Sequence, residues 1–137
     1  MKVFLGGTCN KSKWRAYLKP LLNIDYFDPV VDDWTKDCME EEIKQRSTCD
    51  YCLYVITPKM TGVYSIAEVV DDSNKRPHRT IFCILTEDDG SQFTERQIKS
   101  LDRVMNIVAV NGGKIFSTLY DVAAYLNNKV EEEETEA

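Results

Sequence analysis

Tyr51-Cys-Leu-Tyr-Val-Ile-Thr-Pro-Lys-Met-Thr-Gly-Val-Tyr-Ser-Ile-Ala-Glu68 is the stretch whose reading decides the fold. Its first six residues, Tyr51 to Ile56, are the most strand-like run in the chain. The next seven carry a proline and a glycine and read as a loop, and a helix is predicted from Tyr64 to Ser73. A buried strand, a Pro/Gly loop and a helix start bearing a carboxylate form the part of an α/β domain that meets ligands. In open α/β sheets small molecules bind beyond the carboxyl ends of the strands, where helix N-termini present free N–H groups.

Upstream, Lys2-Val-Phe-Leu-Gly6 reads as a short buried strand ended by the turn Gly6-Gly7-Thr8. Ser12 is placed to cap a helix over Lys13 to Leu22, with Trp14, Tyr17, Leu18 and Leu21 on one face and Pro20 shortening its end. Ile24 to Phe27 is a second strand with the polar exit Asp28 to Asp33. Trp34 to Thr48 is a predicted helix, with Trp34, Cys38, Met39 and Ile43 as a partly buried stripe and Glu40-Glu-Glu42 on the solvated face. Downstream, Arg76-Pro77 ends the central helix, Thr80 to Leu85 is a fourth strand, and Thr86 to Gly90 is its exit loop. Thr94 caps a long helix stopped by Asn111-Gly-Gly113. Lys114 to Phe116 is a fifth strand, and Ser117 is placed to cap a last amphipathic helix. This alternation implies a three-layer α/β fold, a flavodoxin-like (Rossmann-like) five-stranded parallel sheet in the order 2-1-3-4-5. The expected organisation is one domain over residues 1–130 followed by an acidic disordered tail over 131–137.

The net charge of −6 argues against a protein that binds the phosphate backbone of nucleic acid. No apolar run approaches the length of a membrane-spanning helix, and Met1-Lys2 leads straight into a strand, so no membrane association and a cytoplasmic location are expected. Five cysteines, an odd number, suit free thiols in a reducing compartment. Cys49 and Cys52 have CxxC spacing, but they open a strand rather than a helix and have no second pair to complete a zinc site. They read as small packing residues.

Four strand exits are expected on one edge of the sheet, and the first and third flank the point where a crevice opens. Gly6, Gly7 and Thr8 let a ligand approach the backbone, without a GxGxxG fingerprint or a Walker lysine. Glu68 has two readings. Ser65-Ile-Ala-Glu68 matches a capping box, in which the glutamate only returns a hydrogen bond. Alternatively, a carboxylate in a helix's first turn, kept ionised by the helix dipole, can attack a sugar C1′ or stabilise an oxocarbenium-like transition state. Tyr64 lies one turn earlier on the same face, either orienting Glu68 or packing as a loop aromatic. Asp33 with Trp34 is either a proton donor beside an aromatic wall or an N-cap followed by a core tryptophan. His78, the one histidine, falls on the far edge, so no Ser-His-Asp or Cys-His triad is supported.

Val3-Phe-Leu-Gly-Gly-Thr8 with Trp14-Arg15, Tyr26-Phe-Asp-Pro29 with Asp33-Trp34, and Asp50 to Thr57 through Tyr64-Ser-Ile-Ala-Glu68 resemble the nucleoside 2-deoxyribosyltransferase-like family. The likeness spans roughly the first 85 residues. It implies cleavage or exchange of the N-glycosidic bond of 2′-deoxynucleosides or their 5′-monophosphates, and it places the family's nucleophilic glutamate at Glu68. Three positions depart from the family's pattern. A tyrosine that helps hold the nucleophile falls at Phe4, an aspartate used at the base or sugar falls at Glu42, and a polar residue that contacts the sugar's 5′ end falls at Gly62, for which Thr61 or Ser65 would have to substitute. The C-terminal segment that completes a neighbouring subunit's site in the transferases is not recognisable.

The resemblance implies a small-molecule nucleoside or nucleotide as partner, a homo-oligomer of at least two copies, and no metal or cofactor. In the expected mechanism Glu68 displaces the base from C1′, Glu42 or Asp33 protonates it, and water or a second base completes a retaining reaction. Two other readings are a ribonucleotide or NAD glycohydrolase and a catalytically inactive nucleotide-binding module.

Overall fold

The computed structural model describes residues 1–9, 11–33 and 35–136. The first half runs β1 (Lys2–Gly7), α1 (Trp14–Leu18), β2 (Asp25–Phe27), α2 (Lys36–Thr48), β3 (Tyr51–Ile56) and α3 (Tyr64–Lys75). The second runs β4 (Thr80–Ile84), a two-stranded hairpin of β5 (Glu87–Asp88) and β6 (Ser91–Gln92), α4 (Glu95–Asn111), β7 (Lys114–Phe116) and α5 (Leu119–Glu136). One parallel sheet has the order β2-β1-β3-β4-β7. Counted over its own five strands this is the flavodoxin-like order 2-1-3-4-5.

The period-two alternation of strand side chains builds two core layers. Val3, Leu5, Leu53, Val55, Ile81 and Cys83 point to one face and pack with Trp14 and Leu18 of α1 and Val122 and Leu126 of α5. Phe4, Cys52, Tyr54, Ile56, Phe82 and Ile84 point to the other and pack with Val69 of α3 and Leu101 and Val108 of α4. Strands buried on both faces read as continuous apolar runs, which is why Tyr51 to Ile56 is so legible. Cys49 and Cys52 are buried in the second layer, and burial pushes the Cys52 thiol up to about 12. Among the described residues no helix is long and apolar enough to cross a membrane.

Local chemistry corrects several boundaries. Pro20 limits α1 to five residues, followed by a 3-10 turn over Lys19–Leu21. The N-cap of α1 is Lys13 rather than Ser12, although the Ser12 hydroxyl accepts from the Trp14 amide at 3.5 Å; it donates to Asp88 at 2.6 Å, and the exposed Tyr17 donates to Asp89 at 3.0 Å. Both are drawn to the β5–β6 hairpin, which stands where a plain loop is expected. Its turn holds Asp89 at φ 45° and Gly90 at φ 92°, the Asp-Gly chemistry that two-residue hairpins select. The α2 cap is Thr35, whose Oγ1 accepts from the Cys38 amide at 3.2 Å, rather than Asp33.

Of the expected α2 stripe, Cys38 is partly buried, Met39 is exposed, Ile43 is 62% exposed and Trp34 lies outside the described residues; none of the residues of α2 is fully buried. At α5 the capping oxygen is that of Thr118, which accepts from the Asp121 amide at 3.1 Å, rather than that of Ser117. α5 continues through the exposed acidic run 131–136. By contrast, Thr94 caps α4 with a complete capping box to Gln97, and Gly112 ends it at φ 105°.

The tightest joint lies between β1 and β3. Gly7 has φ +120°, and a Cβ there would stand 2.1 Å from the Val55 carbonyl oxygen. Gly7→Ala is expected to lower the unfolding free energy by about 3 kcal/mol or more in urea titration. An unchanged midpoint would show that the two strands can separate at this point.

Candidate active site

The strand exits and α3 enclose a cleft of about 390 Å³. β1 contributes Gly6, Gly7 and Thr8 to its floor, and the loop after β2 contributes Val30 and Val31. Glu42 of α2, Gly62 of the loop before α3, and Tyr64, Ser65 and Glu68 of α3 also line it. These sequence-predicted residues therefore converge. Asp33 does not line the cleft; it is exposed, and its carbonyl accepts from the Cys38 thiol at 3.7 Å. Trp34 lies outside the described residues.

The floor is stitched by polar bonds that use up its own groups. Thr8 Oγ1 accepts from the Thr57 amide at 2.9 Å, tying the exit of β1 to that of β3. The Thr8 carbonyl accepts from Trp14 Nε1 and from Arg15 Nη1, both at 2.7 Å. Arg15 Nε donates to the Leu5 carbonyl at 3.0 Å, and Arg15 pairs with Asp28 at 3.5 Å. Arg15 thus lines the cleft while its guanidinium is committed to holding β1. Gly6 is also needed here, since a Cβ would meet the Tyr54 ring at 2.8 Å.

Glu68 is not part of a capping box. α3 is capped at Val63 with no side-chain bond, so Ser65 already lies inside the helix. Glu68 is the fifth helical residue and is 8% exposed. The expectation that the helix dipole keeps it readily ionised is also corrected. Burial pushes its carboxyl up to about 7, with Arg46 pulling down and Glu42 and Asp72 adding to the rise. Glu42, half-buried, is likewise raised by burial, against the pull of Arg46 and Arg15. Tyr64 is 71% exposed at the cleft mouth rather than packed under Glu68.

Arg46 is the functional-looking residue that the sequence pattern leaves unmarked. Its Nε lies 3.5 Å from Glu68 Oε2 and also bonds the Tyr54 hydroxyl at 2.9 Å. Its Nη2 reaches Asp72 Oδ1 at 2.9 Å and Asp71 Oδ2 at 3.2 Å. Asp72 is fully buried, accepts from the Tyr54 hydroxyl at 2.5 Å, and also pairs with Arg76. The available signal was spacing by fours: Glu42 and Arg46 on α2, and Glu68 and Asp72 on α3 with Arg76 as its C-cap. Among the described residues no group of three His, Cys, Asp or Glu side chains converges to hold a metal.

Residues 1–87 match the family model described as nucleoside 2-deoxyribosyltransferase like. The chain belongs to that family. No curated protein matches it. Membership in the nucleoside 2-deoxyribosyltransferase-like family supports a role in nucleoside glycosyl transfer and small-molecule nucleoside substrates. Against the family pattern, Phe4 stacks on Phe27 and leans on Tyr54, whose hydroxyl is held on the neighbouring strand. That hydroxyl is spent on Asp72 and Arg46.

A carboxyl whose pKa is higher in the folded chain binds its proton more tightly there. Between about 4.5 and 7 the unfolded chain releases the Glu68 proton while the folded chain keeps it, so stability falls as pH rises through that window. Glu68→Gln cannot ionise. It is expected to be close to wild type at about pH 5 and more stable by about 2–3 kcal/mol at about pH 8 in urea unfolding. Parallel pH curves for the two proteins would contradict the assignment.

Proposed function

We propose that the protein breaks the N-glycosidic bond of a 2′-deoxynucleoside or its 5′-monophosphate, with Glu68 as nucleophile. The observation that carries this reading is a nearly buried glutamate at the cleft wall that caps no helix, in a chain of this family. A buried carboxylate is desolvated, and its attack on C1′ exchanges an unfavourable charge for a neutral ester.

In the forward step a Glu68 oxygen bonds C1′ as the C1′–N bond breaks, and the bond's electron pair leaves on the base nitrogen. A protonated Glu42 supplies that nitrogen with its proton, and the raised affinity of Glu42 for protons supports the role. Asp33 lacks such support, because it lies off the cleft. Water or a second base then opens the ester from the opposite face, giving net retention. The exposed Val30, Val31 and Tyr64 at the mouth favour association with a second copy of the chain, which would cover them.

Free-base release is expected from a panel of deoxynucleosides, their 5′-monophosphates and NAD. Glu68→Ala should lower it by about a thousandfold or more. Because Glu68 attacks as the carboxylate and Glu42 donates as the acid, kcat should rise with pH up to about 7 and fall again where Glu42 loses its proton. No release from any substrate, with nucleotide still bound, would leave the binding-module reading in its place.

A further inference from the structure

The charged groups around Glu68 are Arg46 and Glu42 of α2 and Asp72 of its own helix; Tyr54 of β3 and Asp71 of α3 meet Arg46 instead. Arg15 of α1 is the other cation lining the cleft, and its nitrogens are engaged by β1 carbonyls. The charges on the α3 side are largely matched without Arg46: Arg76 pairs with Asp72, and Lys75 pairs with Asp71 at 3.1 Å. Arg46 therefore shares the aspartates with other cations, and part of its charge falls on Glu68.

Arg46 is also fixed in place. Burial works against its charge, but the Tyr54 hydroxyl and Asp72 outweigh burial and hold its pKa above the ordinary value. Tyr54 stays a neutral phenol, its pKa raised by burial and then by the neighbouring Cys52 and Asp72. It bonds the same Arg46 Nε that faces Glu68. A guanidinium is a planar fork that a lysine ammonium cannot reproduce at such a junction.

We infer that Arg46, anchored beneath the cleft by Tyr54 and Asp72, is the positioning residue that orients the Glu68 carboxylate and keeps it charged for attack. The inference takes its catalytic meaning from the proposed glycosidic reaction, but the contact itself can be tested without any reaction.

The experiment is the titration of Glu68 by carbon-detected NMR of glutamate-labelled protein, free of substrate, in wild type, Arg46→Met and Arg46→Lys. Arg46→Met should raise the Glu68 midpoint by about one pH unit or more. Arg46→Lys, which keeps the cation but not the fork, should raise it less, and it decides the matter if the methionine variant does not fold. With substrate, the acid limb of kcat should move up in parallel, with KM little changed and activity partly restored at high pH; loss of fold alone would not move that limb. An unmoved Glu68 midpoint in a folded variant overturns the inference, even if wild type releases base. A moved midpoint in a protein that releases no base sustains the Arg46 contact and defeats the glycosidic reading instead.

Discussion

The structure around the cleft depends on one buried charge. Asp72 has no solvent exposure and is surrounded by the Tyr54 hydroxyl and the guanidiniums of Arg46 and Arg76. A lone carboxylate at such a depth would be prohibitively unfavourable, so its partners are obligatory. They come from β3, α2 and α3 itself, and satisfying Asp72 therefore docks three elements together. This matters most for α2, which contributes no fully buried residue to either core layer. Where the other long helices are held by apolar faces, α2 is held largely by Arg46.

That arrangement places the two cleft carboxyls on different supports. Glu68 rides on α3, whose Val69 is fixed in the core, while Glu42 rides on the helix tied down by the guanidinium. Both have raised proton affinity because burial disfavours their charged forms; Arg46 pulls each down, and Glu42 adds to the rise at Glu68. Environments that separate the ionisation of two carboxyls are a physical route to acid and nucleophile in one site.

The sheet was readable because parallel strands buried on both faces leave uninterrupted apolar runs, and the glycine and capping-box stops of α4 are local chemistry. The Asp-Gly hairpin was equally local and visible, yet the charges around it suggest only a loop. Glu68 could be located from sequence, but its environment could not. Whether Ser65-x-x-Glu68 caps a helix depends on where the helix starts, and Val63 rather than Ser65 holds that place. Similarly, the polar face of α2 looks solvated in sequence, because nothing within the helix reveals that Arg46 will meet Asp72, 26 residues later. Apolar α2 residues that fit a buried stripe stand outside, since the polar clamp sets the helix's rotation.

The absence of fully buried side chains on α2 also has an evolutionary consequence. Substitutions along it, Arg46 apart, open no cavity in the sheet layers and so fall in the range where stability changes little. The outward face of α2 can therefore drift in shape and charge while the scaffold and Glu42 in the cleft lining stay intact. A lineage carrying this fold has room to change what meets that helix from outside, on a foundation that selection need not rebuild.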